Sequence, residues 1–140
     1  MPARTEIRVR YAETDKMGVV YHSNYFVWME IGRTELFRKM GLPYKVIEEK
    51  GIIFPVVEAF CRYKKSALYD DEIVIETVLK HYSAAKVVLD YKIIRKKDEV
   101  LLAEGETVHG IVTTEGKPVS IKKLPWLQEK FDKIMEIRGN

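Results

Sequence analysis

The sequence is 140 residues long, 46% hydrophobic and 32% charged, with a net charge of only +3. That is enough apolar content for one core. The charge is too balanced for a disordered chain, and its basic residues are too scattered for the positive stripe of a nucleic-acid binder. One cysteine, Cys61, excludes a disulfide framework, the charged first ten residues do not read as a signal peptide, and no run approaches a transmembrane segment of roughly 20 apolar residues. The expectation is a single domain over residues 1–140, cytoplasmic, with no nucleic-acid partner.

In chain order, residues 6–10 alternate Ile7 and Val9 with Arg8 and Arg10, a strand with one face in a core. Polar, turn-prone residues follow, with Asp15 and Gly18 in the turn and His22 shortly after it. Over residues 25–40, Phe26, Met29, Phe37 and Met40 recur at helical spacing, and Trp28, Ile31 and Leu36 widen the apolar face. The spacing predicts a long helix buried on much of its circumference. Ser23 or Asn24 is placed to cap its start, and Gly41 with Pro43 to stop it. Glu30 and Arg33, three apart, are expected to pair on its surface. Residues 44–50 predict one or two further helical turns closed by Gly51.

Beyond Gly51 the period becomes strand-like. Strands are expected over residues 54–67, 72–80, 86–95 and 100–114, with turns at 69–71, 83–84 and 97–99. Leu127, Phe131, Ile134 and Met135 mark a terminal helix over about residues 125–137. Successive strands joined by short turns predict an antiparallel sheet, and its apolar face needs the helix of residues 25–40 as partner. Ala103 and Gly105 in the last strand leave room for that helix or a ligand to come close. The fold class is α+β, an antiparallel sheet wrapped around a long central helix.

Chemistry is expected where a carboxylate, a glycine turn and a histidine converge before the positive end of that helix. The unpaired amides of a helix start, together with its dipole, suit a carbonyl oxygen that gains charge. Asp15 would then be a general base or a nucleophile, His22 a donor to the carbonyl or leaving group, and Tyr11 an orienting group. Each has a plainer reading: Asp15 as a turn residue, His22 as a satisfied hydrogen-bonding group, Tyr11 as packing. No histidine pair has metal-ligand spacing, and no glycine-rich phosphate loop or serine elbow is present.

The stretch YAETDKMGVVYHSNYFVWMEIGRTELFRKMG resembles the signature of the hotdog-fold acyl-CoA thioesterases, in the YbgC branch related to 4-hydroxybenzoyl-CoA thioesterase. The matching positions are Tyr11, Thr14, Asp15, Gly18, Val19, Val20, Tyr21, His22 and Tyr25, then Glu30 and Arg33. The stretch FPVVEAFCRYKKSALYDDEIVIET resembles the family's next two strands, with Asp71 at a hairpin. The resemblance runs from about Ile7 to Leu124. It departs from the commoner form at Glu13, where Asp is frequent, and at Gly32, where Ala is.

What the resemblance implies is hydrolysis of an acyl-CoA with no metal or redox cofactor, and Asp15 as the catalytic carboxylate. The carbonyl would be polarised by the backbone amide at or near His22, with Tyr11 and His22 in support. It implies Gly18, Lys64, Lys65, Ser83 and Lys86 as substrate-binding candidates, and a homodimer assembling to a homotetramer with the site at the dimer interface. An acyl-carrier protein is an alternative thiol carrier. A hotdog hydratase or dehydratase, and a non-catalytic acyl-CoA or acyl-carrier binding module, are the rival readings.

Overall fold

The strands that pattern most regularly form the middle of the sheet. In the computed structural model, which describes residues 2–139 and side chains as far as Glu136, Ile73, Ile75, Thr77 and Leu79 of one strand are buried, as are Val87, Leu89, Tyr91 and Ile93 of the next. Alternate residues of a strand share one face, so these two sets line a single apolar surface.

The elements are β1 (Ala3–Arg8), α1 (Asn24–Lys39), α2 (Tyr44–Glu49), β2 (Ile52–Ile53), β3 (Val56–Tyr63), β4 (Glu72–Tyr82), β5 (Lys86–Arg95), β6 (Val100–Gly110), β7 (Val112–Thr113) and α3 (Pro125–Gly139). Five strands form one antiparallel sheet in the order β1-β4-β5-β6-β3, and β2 pairs with β7 in a small second sheet.

The helix α1 packs on the sheet's buried face, against β1, β4 and β5, and buries Tyr25, Trp28, Met29, Gly32, Leu36 and Phe37. Two glycines set how close it comes. A Cβ on Gly32 would stand 2.7 Å from Ile75 Cγ2 of β4, and one on Gly105 of β6 would stand 2.7 Å from the Phe60 carbonyl and overlap the end of Met29. The close approach expected at Gly105 is therefore made by the helix. The terminal helix α3 closes the far end, where Phe131 packs against Phe37, Phe54 and Tyr82 at ring separations of 6.0, 6.4 and 5.4 Å.

Several boundaries differ from the expectation. β1 covers Ala3–Arg8 rather than residues 6–10, because its ladder with β4 begins at Ala3 opposite Thr77. The expected strand over 54–67 is realised only as β3, Val56–Tyr63, with a short unexpected strand β2 before it at Ile52–Ile53, and the one over 100–114 is broken at Ile111 into β6 and β7. Residues 64–71 do not form a hairpin, and Asp71 is not at one. β3 is the sheet's edge next to β6, whereas β4 lies beyond β5, so this segment crosses from the edge to the interior of the sheet. Ser23 holds the helix N-cap position but makes no side-chain cap bond, and its backbone is already helical. Asn24 is instead tied back to the preceding loop. Among the described residues Glu30 and Arg33 form no ion pair; the Arg33 guanidinium lies beside the hydroxyls of Tyr44 and Tyr91.

Candidate active site

The loop between β1 and α1 is built on the crossover from β3 to β4. Val9 N–H donates to Asp71 O at 2.9 Å and Asp70 N–H donates to Val9 O at 3.1 Å. A single 3₁₀ turn, Tyr11–Glu13, follows, and the chain then makes a tight out-and-back excursion with Thr14 bridged to Val20. The returning limb docks on the crossover, with Val20 N–H donating to Ala67 O at 2.9 Å and Val19 bridged to Leu68. The crossover that the sequence pattern reads as a hairpin is thus what carries the site loop.

Asp15 occupies the start of the excursion and is exposed. Its Oδ1 accepts from Met17 N–H at 2.8 Å, an Asx turn, while its backbone N–H donates to Val19 O at 2.9 Å. Gly18 closes the turn with φ of 80° and donates to Asp15 O at 3.0 Å. A Cβ there would meet nothing, so glycine is required for its backbone conformation and not for space.

The root of the excursion is fixed by Glu13, which is 5% exposed. Its Oε2 accepts from Trp28 Nε1 of α1 at 2.9 Å, and its Oε1 accepts from Arg10 N–H at 2.8 Å. Its backbone carbonyl accepts from Tyr21 N–H and from Asn24 Nδ2, each at 2.9 Å. One buried residue therefore joins the end of β1, both limbs of the loop and the first turns of α1.

At the start of α1, the N–H groups of Asn24, Tyr25 and Phe26 turn back onto the carbonyls of Tyr21, His22 and Ser23. Among the described residues the N–H groups of His22 and Ser23 make no hydrogen bond. They are the unsatisfied donors at the positive end of the helix. The His22 ring packs on Tyr21 at 4.4 Å, and its carbonyl accepts from Tyr63 Oη of β3 at 3.0 Å. Partial desolvation of its hydroxyl, with Cys61 next to it, pushes Tyr63 up to about 12, so it remains a donor at neutral pH. A hollow of about 330 Å³ opens here, bounded by Val20, His22, Tyr25, Tyr63, Lys64, Lys65 and Ser66.

The chain brings together Asp15, Gly18 and His22 on one loop, and Lys64 and Lys65 on the hollow beside it. Tyr11 also belongs to the loop, but it is 78% exposed and its ring meets Tyr69 edge-on at 5.7 Å. Ser83 in the turn between β4 and β5 and Lys86 at the first position of β5 are joined by Ser83 N–H to Lys86 O at 2.9 Å. That turn is separated from the loop, within one chain, by the length of β4, roughly 33 Å at a rise of about 3.3 Å per residue.

Sequence reasoning passed over Glu13 as a functional position, and passed over Tyr63. The signal for Glu13 lay in its place within the resembling motif, where Asp is frequent, but a carboxylate in a polar loop reads as solvated until its burial is known. A second polar group also escaped notice. His109, buried in β6, contacts Phe54 O through Nδ1 at 3.1 Å and Thr107 Oγ1 through Nε2 at 2.8 Å, and Thr107 in turn meets the Tyr91 hydroxyl at 2.6 Å. A carbonyl accepts only, so Nδ1 carries the proton and Nε2 accepts from Thr107, which accepts from Tyr91. Burial holds the imidazole below its ordinary value, with the nearby Arg33 charge adding to this.

A five-stranded antiparallel sheet packed on one long central helix is the architecture of the hotdog-fold thioesterases. The sequence profile of the thioesterase-like superfamily matches residues 9–131. The chain belongs to that family. The YneP protein of Bacillus subtilis is 41% identical over 122 residues, 86% of this chain and 88% of that protein. The acyl-CoA thioesterase YbgC of Haemophilus influenzae is 30% identical over 120 residues, 84% of this chain and 86% of that protein. A crystal structure of DHNA-CoA thioesterase from Staphylococcus aureus superposes with a TM-score of 0.92 at 34% identity, covering 99% of this chain and 95% of that one. Among the described residues no helix is long and apolar enough to cross a membrane.

Proposed function

We propose that the protein hydrolyses acyl-CoA thioesters in the cytoplasm, with Asp15 as the catalytic carboxylate and the carbonyl held at the start of α1. The observation that carries this reading is that one short segment bears both the exposed Asp15 carboxylate and, seven and eight residues on at the start of α1, the N–H groups of His22 and Ser23, which have no partner among the described residues. Those donors would stabilise the oxyanion as the carbonyl becomes tetrahedral, a contribution of about 2.7–4 kcal/mol for one such donor. Met17 N–H occupies one side of Asp15 and leaves Oδ2 for the reaction. As general base, Asp15 takes a proton from water while the hydroxyl adds to the carbonyl carbon; the C–S bond then breaks and the departing sulfur is protonated, with His22 as the donor and Tyr11 orienting the water. As nucleophile, Asp15 displaces the thiol to form a mixed anhydride that water cleaves.

Lys65, which among the described residues makes no ion pair, and Lys64, shared with Glu104 at 3.6 Å, would meet the phosphates of coenzyme A. Ser83 and Lys86 would serve the ligand only from a neighbouring subunit. β3 is a sheet edge with Val56, Val57, Phe60 and Tyr63 exposed, and a second copy adding its own β3 antiparallel would form a homodimer. The pairing would set the partner's start of β3 beside the Tyr63, Lys64 and Lys65 end of the first. Two such dimers would then make a homotetramer.

The test is release of free thiol from a panel of acyl-CoAs, followed with a thiol reagent, beside an enoyl-CoA monitored for hydration. Thiol release without hydration supports hydrolysis. No thiol release from acyl-CoA or from acyl-carrier protein would overturn it. Incorporation of heavy oxygen from labelled water into Asp15 in a single turnover separates nucleophile from base.

A further inference from the structure

We propose that Glu13 is the positioning residue for Asp15: its buried carboxylate fixes the excursion bearing Asp15 against the helix that bears the oxyanion donors. The inference rests on the role of Asp15 given above. The two halves of the site have to be held in register. Asp15 lies in an exposed turn whose internal hydrogen bonds, Met17 N–H to Oδ1 and Gly18 N–H to the carbonyl, bind the turn only to itself. The donors of His22 and Ser23 belong to the start of α1. Glu13 bridges them directly, two residues from Asp15 on one side and bonded to Trp28 on the other. Trp28 is fully buried under the sheet, so its indole N–H is a fixed point.

The chemistry of the side chain suits this task. A carboxylate offers one oxygen to each of two N–H donors at once, here Trp28 Nε1 and Arg10 N–H. A carboxamide has a single acceptor oxygen, and its NH₂ would face one of those donors. A shorter aspartate arm would span the two with difficulty. Arg10 Nε, 3.6 Å from Oε1, supplies counter-charge from the solvent side. Residues that are merely structural lower stability when cut; a positioning residue also misplaces the group it serves, and about 1 Å of misplacement can cost about a hundredfold in rate.

The experiment is a double-mutant cycle between Glu13 and Asp15, read with the acyl-CoA that the wild-type protein turns over fastest. Glu13→Gln is expected to lower kcat about tenfold to a hundredfold while KM changes less than about threefold. In an Asp15→Asn background the same substitution should lower kcat no further, because Glu13 acts through Asp15. If Glu13→Gln does not fold, Trp28→Phe removes the same hydrogen bond from the helix side and takes its place in the cycle. Folded Glu13→Gln protein with near-wild-type kcat, or an equal additional loss in the Asp15→Asn background, overturns the positioning role. Wild-type turnover by Asp15→Asn alone overturns the role of Asp15, a result distinguishable from the other two, and removes the basis of the inference with it.

Discussion

The end of the Met29 side chain lies where any side chain on Gly105 would have to go. Helix and sheet meet there without a side chain on the sheet's part, and the Phe60 carbonyl, 2.7 Å from the same point, prevents the strand from giving way. Gly105→Ala is therefore expected to destabilise the fold by about 1–3 kcal/mol, the usual cost of overpacking a filled core. At an ordinary strand position alanine would instead be neutral or stabilising. Urea unfolding of the variant checks the sign. Met29→Ala alone is expected to cost about 2–5 kcal/mol, because Met29 is fully buried, so the relief shows as coupling: the double variant should lose less than the sum of the two single losses.

Asp15→Asn should reduce turnover by about 10²–10⁴-fold, the range for loss of a general base, while leaving the unfolding midpoint nearly unchanged, because Asp15 is exposed and an amide oxygen still accepts from Met17 N–H. A variant hydrolysing acyl-CoAs at the wild-type rate would show that this carboxylate is only a turn residue.

His109 makes stability depend on pH. Burial keeps its imidazole neutral below the ordinary value of 6.5. As pH falls through 6.5 the unfolded chain takes up a proton that the folded chain refuses, so stability present above that pH is progressively lost on acidification. The loss is at most about 1.4 kcal/mol per pH unit for one proton. Denaturant unfolding at pH 7.5 and 5.5 measures it, and His109→Gln, although less stable at both, should show a shallower difference between them.

Val57→Lys puts a charge on the exposed edge strand. Two copies paired through β3 would bring like charges near one another, so the variant is expected to sediment as a monomer and to lose most of its turnover. A fully assembled and active variant would show that β3 is not the shared edge.

The long helix and the strands β4 and β5 were legible because one face of each is apolar at the proper period, whereas β6, with Gly105, Thr107 and His109 buried, was legible only as a run between turns. The site loop was legible as residue types in a run, Asp15, Gly18 and His22, but not as a structure. Its scaffold comes from residues about fifty positions downstream, at Ala67, Leu68 and Asp71, and no local period encodes that contact. The same holds for Arg33. Spacing along the helix pointed to Glu30, yet the guanidinium finds Tyr44 and Tyr91, because the helix is turned so that its flank meets β5 and α2. Pairing across the sheet was misjudged between β3 and β4 for a related reason: a short polar connection reads as a hairpin whether the chain folds back or passes on to a distant strand.

The Tyr63 hydroxyl holds the His22 carbonyl from the end of the outermost strand. That bond makes the sheet's rim and the tip of α1 a single mechanical piece. Given the proposed pairing through β3, catalytic output per chain should therefore fall as the protein is diluted, even for a variant whose reacting groups are all intact.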